Sequence, residues 1–436
     1  MNRLLLVLLF SLTLIACSPT IVGPTTNNEP VVLSEADPHL VRADTARVQS
    51  PDVPGETAAA LLDGHNRLAL DLYKTAAAGH EENIFFSPYS IHLAFSMLYA
   101  GARQETEAQM AGVLHFLPQT EHHAASNALE QQVASVGNNL EFADESTEWL
   151  QLNIANAVWG QEGFPFSETY LDTLAQQYDT GLRLLDFANP EKARLLINDW
   201  VAQQTEGKIE TIFPPDTLQP ETRLVLTNAI YFNASWQFPF APEQTEMGVF
   251  TRLDGHQLTV PMMRKEAVTL LYLADDGYQV VRLPYTGYAA ELLIILPNEG
   301  QFDQIEGQLT SDFITNMRRR AARHEVNLTL PRFALESDLD LGQVLTAMGL
   351  DRPFSSTTAD FSGIAAGGGL FVSDALHRAV ITVDEVGTEA AAATGISMVV
   401  SESPPATMTI DRPFILAIVT NNPQTILFLG RVMDIE

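Results

Sequence analysis

The segment NIFFSPYSIHLAFSMLYAGA, residues 83–102, constrains the fold of this chain more than any other. Ser87-Pro88 is a helix start signal, because proline's fixed φ suits the first turn and its missing N–H costs nothing there. The run that follows is almost wholly apolar, with no polar face. A helix that is apolar on every side has to be enclosed, so this one is predicted to lie inside a large core. The chain can supply that core. It has 436 residues, 46% hydrophobic and 18% charged, which suits a soluble globular protein of one big domain or two ordinary ones.

The charge balance limits the partners. Against 54 acidic side chains stand only 24 basic ones, a net charge of −30. Such a field repels phosphate backbones and anionic lipid surfaces, so no nucleic-acid partner is expected. The first residues, MNRLLLVLLFSLTLIACS, place Arg3 before an apolar run from Leu4 to Ile15. That run is short for a membrane span and fits a signal peptide at residues 1–16. Leu14-Ile15-Ala16-Cys17 resembles the bacterial lipobox, which implies acylation of Cys17, anchoring of the exported chain to the cell envelope, and a membrane contact through that lipid alone. Two or three acyl chains anchor firmly where one would be marginal. Ser18 follows, so the aspartate that signals inner-membrane retention is absent, and the expected place is the outer membrane or cell surface. Cys17 is the only cysteine, which excludes an internal disulfide.

From residue 17 to 56 the chain is rich in Pro, Thr, Asn, Asp and Val without periodicity, and reads as a flexible stalk. From Thr57 an amphipathic helix is expected, interrupted at Gly64. Helical patterns recur at Gln104 to Leu114, Ser167 to Tyr178 and Glu191 to Thr205, and strand-like runs at Leu152 to Val158, Thr222 to Phe232, Tyr278 to Leu283 and Glu291 to Leu296. There is no repeat and no second linker. One α+β domain over residues 57–436 is the economical reading.

Searches for catalytic motifs fail. The chain has no GxxxxGKS or GxxxxGKT phosphate loop, HExxH zinc helix, GxSxG elbow or SxxK pair. No enzyme, cofactor or metal is expected. His122-His123 lacks a further ligand at helical spacing and reads as an exposed loop pair. Arg318, Arg319, Arg320 and Arg323 read as a solvated helix face, and Gly367 to Gly369 as a turn before a strand.

One stretch resists a bland reading: VDEVGTEAAAATGISMVV, residues 383–400. Alanine is the best helix former, so a short helix capped by Gly395 is the simplest expectation. Yet the segment follows a strand-like run without a turn dipeptide and leads into Val399, Val400 and then SESPPAT. The alternative is a conditional strand. By the two-residue period Thr388, Ala390, Ala392 and Thr394 would share one face, small enough to slide between existing strands.

These segments together resemble the serpin family. NIFFSPYSIHLAFSMLYAGA, TEGKIETIFPP, LTNAIYFNASWQFPF, LPRFALESDLDLGQVLTAMGL, HRAVITVDEVGTEAAAATG and DRPFILAIVTNNPQTILFLGRV fall in the family's order and spacing over Gly64 to Val432. The resemblance implies a serpin fold of three β-sheets and about nine helices, with an exposed reactive-centre loop. It also implies suicide inhibition: a serine protease attacks the loop and forms an acyl-enzyme. The cleaved loop then inserts into the main sheet. On that pattern the hinge is Glu385, Gly387, Thr388, Glu389, Ala390, Ala391, Ala392, Ala393 and Thr394, with no bulky or charged residue on the inward face. The family's spacing puts the reactive bond at Ser401-Glu402, with Val400-Ser401 and Glu402-Ser403 also open. Met398, Val399 and Val400 would be the recognised residues and suit an elastase-like or subtilisin-like target. Were Glu402 recognised, a glutamate-specific protease would fit.

The same resemblance assigns Ser87, Ser90, Asn228 and His377 to the shutter, a hydrogen-bonded cluster under the main sheet, and Trp236 to the breach, where insertion begins. Asn233-Ala234-Ser235 departs from the basic residues common there. Few basic residues lie between Gly101 and His123, so no heparin activation is expected. The expected partner is a target protease in covalent complex with a monomer. The alternative is a non-inhibitory serpin used as a surface binding or carrier protein.

Overall fold

The computed structural model describes residues 32–34, 37–138, 150–388 and 404–435, and these belong to one compact unit. Helix Pro88–Tyr99 sits where its composition requires, with all twelve residues buried. It underlies the central strand of the main sheet, Leu224–Ser235, and the neighbouring Leu150–Gln161. Helix Pro190–Gln204 covers the other face. The two-residue period sorts the central strand: Val225 and Ala229 face the cluster of helix Pro190–Gln204, whereas Leu224, Leu226, Ile230 and Phe232 face the opposite side. Asn228 falls on that second side, above Pro88–Tyr99.

Among the described residues the main sheet has eight strands. Its order is Val32–Ser34, Asp37–Arg42, Leu182–Leu185, Leu150–Gln161, Leu224–Ser235, Val372–Val383 and Phe333–Asp340, with Gly387–Thr388 added at one end of Leu224–Ser235. Its middle pair, Leu224–Ser235 with Val372–Val383, is parallel and sets Asn228 opposite His377. Hydrogen bonding joins the remaining strands into one nine-stranded sheet. The long strand Gln257–Asp275 belongs to both halves: its first part pairs with Glu246–Thr251 and its last part with Tyr278–Pro284. Between them Ala267 has a positive φ of 49° and the register with Ala322–Pro331 shifts. A bulge of this kind bends a strand, and it marks off the third sheet of the expected serpin architecture. Nine α-helices occur among the described residues, in an α+β arrangement.

Three local expectations need correction. Helix Gly55–Ala77 runs through Gly64 without a break, because that glycine is a contact: a Cβ there would stand 2.4 Å from the His115 carbonyl oxygen. Residues 37–54, expected as stalk, are packed onto the domain. Asp37–Arg42 pairs with Leu182–Leu185, and the Arg47 guanidinium donates to Asn127 Oδ1 at 2.9 Å and to Glu130 Oε2 at 2.9 Å. Their sequence lacks periodicity because one short strand and side-chain contacts hold them, not an amphipathic face. Arg318 is buried, donating to Glu291 Oε1 at 2.9 Å, while Arg319, Arg320 and Arg323 are exposed as expected. Gly367 to Gly369 do precede the strand Val372–Val383. Among the described residues no helix is long and apolar enough to cross a membrane.

Candidate functional site: the seam of the main sheet

The parallel pair at the centre of the main sheet forms a seam, and the predicted shutter residues meet beneath its middle. Ser87 caps helix Pro88–Tyr99, its Oγ accepting from the Ser90 N–H at 3.1 Å and donating to the Leu427 carbonyl at 2.7 Å. The Ser87 N–H donates to His377 Nε2 at 3.0 Å, and His377 Nδ1 bonds Asn228 Oδ1. An acceptor at Nε2 makes His377 the neutral Nδ1–H tautomer. Burial holds its pKa down at about 3. One helix cap therefore joins both strands of the seam through a neutral imidazole.

A fifth member was not anticipated. Asn156, on Leu150–Gln161, lies opposite Asn228 in the ladder; its Oδ1 accepts from Ser90 Oγ at 2.9 Å and Asn228 Nδ2 at 2.8 Å, and its Nδ2 donates to the Ser90 carbonyl at 2.9 Å. The available signal was an asparagine alternating with alanines in the strand-like run NIANAV.

The end of the seam is built differently. The pairing of Val372–Val383 with Leu224–Ser235 stops at Val380 opposite Tyr231. Beyond it, Asp384 Oδ1 accepts from the N–H groups of Val386 at 2.8 Å and Gly387 at 3.1 Å, an Asx turn that reverses the chain. Gly387 and Thr388 then pair with Ser235 and Ala234, antiparallel. Ala234 is already paired with Leu150 on its other edge, so Thr388 sits on the edge facing Val372–Val383, inside the seam. A Cβ at Gly387 would come 2.2 Å from the Ala234 carbonyl oxygen, which admits only glycine. Thr388 is fully buried and its Oγ1 shares a 2.8 Å hydrogen bond with the Tyr285 hydroxyl.

Trp236 holds this turn. Its backbone N–H donates to the Val386 carbonyl and its Nε1 to the Asp384 carbonyl, both at 2.9 Å, while its ring stacks on Tyr285 at 4.8 Å. Glu385 is buried, accepting from Thr245 Oγ1 at 2.7 Å, with Arg332 Nε 3.5 Å away. The residue predicted for the breach and the first residues predicted for the hinge thus share one contact set. Asp384, the turn former, was missed, although an aspartate three residues before a glycine is a turn signal. Glu389, Ala390, Ala391, Ala392, Ala393 and Thr394, the recognition residues Met398, Val399 and Val400, the bond residues Ser401 and Glu402, and Cys17 lie outside the described residues.

The histidine pair expected in an exposed loop is instead buried on helix Gln119–Asn138. His122 Nε2 bonds Ser96 Oγ and His123 Nδ1 bonds the Tyr178 hydroxyl, at 2.8 and 2.7 Å. Alanine-rich neighbours disguised a helix whose inner face carries imidazoles. With His65 and His92 they form a row, successive ring centroids 5.3 to 5.5 Å apart, in which His65, His92 and His122 each leave Nδ1 without a partner and His123 leaves Nε2.

The comparisons agree with this architecture. The model of the family Serpin (serine protease inhibitor) matches residues 63–435. An uncharacterised serpin-like protein of Thermococcus kodakarensis is 37% identical over 86% of this chain and 85% of its own. The leukocyte elastase inhibitor of Xenopus laevis is 34% identical over 83% and 96%. The native structure of the thermophilic serpin tengpin superposes with a TM-score of 0.77 at 26% identity, over 91% of this chain and 98% of that one. Human thyroxine-binding globulin, in complex with thyroxine, gives 0.76 at 31% identity, over 87% and 99%. With a family model matched over residues 63–435 and relatives and solved structures that cover most of its length, this chain belongs to the serpin family.

Proposed function

We propose that this serpin is a suicide inhibitor of serine proteases, consumed once per target. The supporting observation is the seating of Gly387 and Thr388 as a two-residue strand inside the seam. The first step of insertion is already templated there, and the residues that would extend it, Glu389 to Thr394, alternate so that Ala390, Ala392 and Thr394 follow Thr388 on the inward face. Extending a strand between two existing ones satisfies backbone groups on both edges and buries only small side chains. A protease acylated on the loop would be carried along and its oxyanion hole distorted, and losing one such donor costs roughly 3 kcal/mol of catalysis. The uncharged residues Met398 to Ser401 favour an elastase-like or subtilisin-like target, with cleavage at Ser401-Glu402. Leukocyte elastase inhibitor as a relative is consistent with that class. Acylated Cys17 would tether the inhibitor to the envelope of a bacterial cell.

The test mixes the chain from Ser18 onward with elastase and with subtilisin. A band at the summed mass that survives denaturation, with a released peptide beginning at Glu402 by mass spectrometry, is the expected result. Clean cleavage without that band, across several proteases, would instead make the chain a non-inhibitory binding protein.

A further inference from the structure

In the nine-stranded sheet a lysine stands at an inward place where the pattern calls for an apolar residue. On strand Gln257–Asp275, Lys265 is followed, past the bulge at Ala267, by buried Val268 and Leu270. The residue added at the bulge keeps all three on one face. That face lines a recess with Trp236, Phe238 and Leu328, and apart from Lys265 no lining residue is titratable. The half-buried amine donates to the Pro239 carbonyl at 2.6 Å and has no ion-pair partner among the described residues. Of its charged chain neighbours, Arg264 is paired with Glu246 at 2.7 Å and Glu266 is exposed. Burial alone lowers the pKa of this amine.

The choice of lysine matters here. The chain has four lysines against twenty arginines, and Lys74, Lys192 and Lys208 are all exposed. Unlike a guanidinium, a desolvated ammonium gives up its proton readily, which is what makes a lysine nucleophilic.

We propose that Lys265 is a modification site that takes small unbranched aldehydes as a reversible imine. The Nζ lone pair attacks the carbonyl carbon and forms a C–N bond; the aldehyde oxygen leaves as water with the two amine protons, and a C=N bond remains. Protonation gives an iminium whose single N–H the Pro239 carbonyl can accept. The free space of the recess, about 10 Å³, is that of about one water, so a short chain fits against Trp236 and Val268 and a branched one does not. The site stands on the fold and does not depend on inhibitory activity.

The experiment incubates the full chain with limiting propanal and cyanoborohydride, which reduces each iminium to a stable secondary amine, and reads the occupancy of every lysine by peptide mass spectrometry. At neutral pH Lys265 is expected to be labelled about tenfold or more above Lys74, Lys192 or Lys208, and its yield should level off at a lower pH than theirs. With trimethylacetaldehyde, too wide for the recess, the preference should vanish. Phe238→Glu sets a carboxylate at the recess and keeps the ammonium charged, so labelling of Lys265 should fall about tenfold with Lys74 unchanged. Should that variant not fold, the pH profile and the bulky aldehyde decide the matter in the unaltered chain. Labelling of Lys265 no greater than that of the exposed lysines, or a preference that persists with trimethylacetaldehyde or in folded Phe238→Glu, would overturn the proposal.

Discussion

The middle and the end of the seam are closed in different ways. At the middle, the side-chain groups of Ser87, Ser90, Asn156, Asn228 and His377 find partners within one buried network. At the end, two hinge residues, an Asx turn and one tryptophan stand where a full strand pairing would otherwise continue. Parting the middle means unmaking several buried hydrogen bonds together, whereas at the end the pairing simply needs to be extended. Buried polar groups cost most when left half-satisfied. On the proposed inhibitory reading, insertion would be easy to start at the end of the seam and resisted at its middle, the arrangement a kinetically held native state needs.

The sharpest way to break this comparison is Thr388→Arg. A guanidinium at a fully buried position costs several kcal/mol, so the end of the seam should no longer accept the hinge. The share of protease trapped on a denaturing gel should fall by roughly tenfold or more while loop cleavage continues; trapping at the original level would refute the insertion reading. Next comes His377→Ala, which strands the Ser87 N–H and Asn228 Oδ1 and leaves a void. A loss of about 3 kcal/mol is expected, seen as faster loss of inhibitory activity on incubation, with the cleaved form little affected. Equal lability of wild type and variant would make the shutter decorative.

Acid probes the same network with a wider reach. His377 is lowered to about 3 and His65 and His123 to about 4, with His92 and His122 well below the usual value, burial being the largest cause in each. The unfolded chain binds these protons first, so stability is full above about pH 6.5 and falls as pH drops toward 4, by about 3 kcal/mol each for His65, His123 and His377, with His92 and His122 acting in the same direction. Glu130, raised to about 7, acts in the opposite direction between pH 4.5 and 7 and softens the upper part of this fall. Urea midpoints measured from pH 7 to pH 4 should therefore decline increasingly steeply; a flat profile would show that water reaches the histidine row. The smallest effect is expected for Trp236→Phe, which keeps a ring over Tyr285 but loses the bond to the Asp384 carbonyl, about 1 kcal/mol. Its loop should insert slightly faster, with the shutter unchanged.

Legibility followed the same division. Ser87, Ser90, Asn228 and His377 could be named from the order of segments, and the structure brings all four together. Asn156 escaped because a strand asparagine among alanines looks like a weak edge residue until its partner strand is known. His122 and His123 were misplaced because their helix is shown only by what packs on it: Ser96, Tyr178 and Phe116 come from elsewhere in the chain. Residues 37–54 gave no periodic signal, since their anchors on Asn127, Glu130 and Leu182–Leu185 are distant in sequence.

By itself the amino-acid sequence determined that a wholly apolar helix must be enclosed, that strand-like runs fall at Leu152 to Val158 and Thr222 to Phe232, and that the predicted hinge segment carries small residues at every second position. These are local rules of period and volume. Only the tertiary structure decided where the seam ends, that Gly387 is required by the Ala234 carbonyl, that Asn156 bonds both Ser90 and Asn228, and that four histidines share one buried row. Each of those depends on atoms brought together from far apart in the chain, and no local pattern records such a meeting.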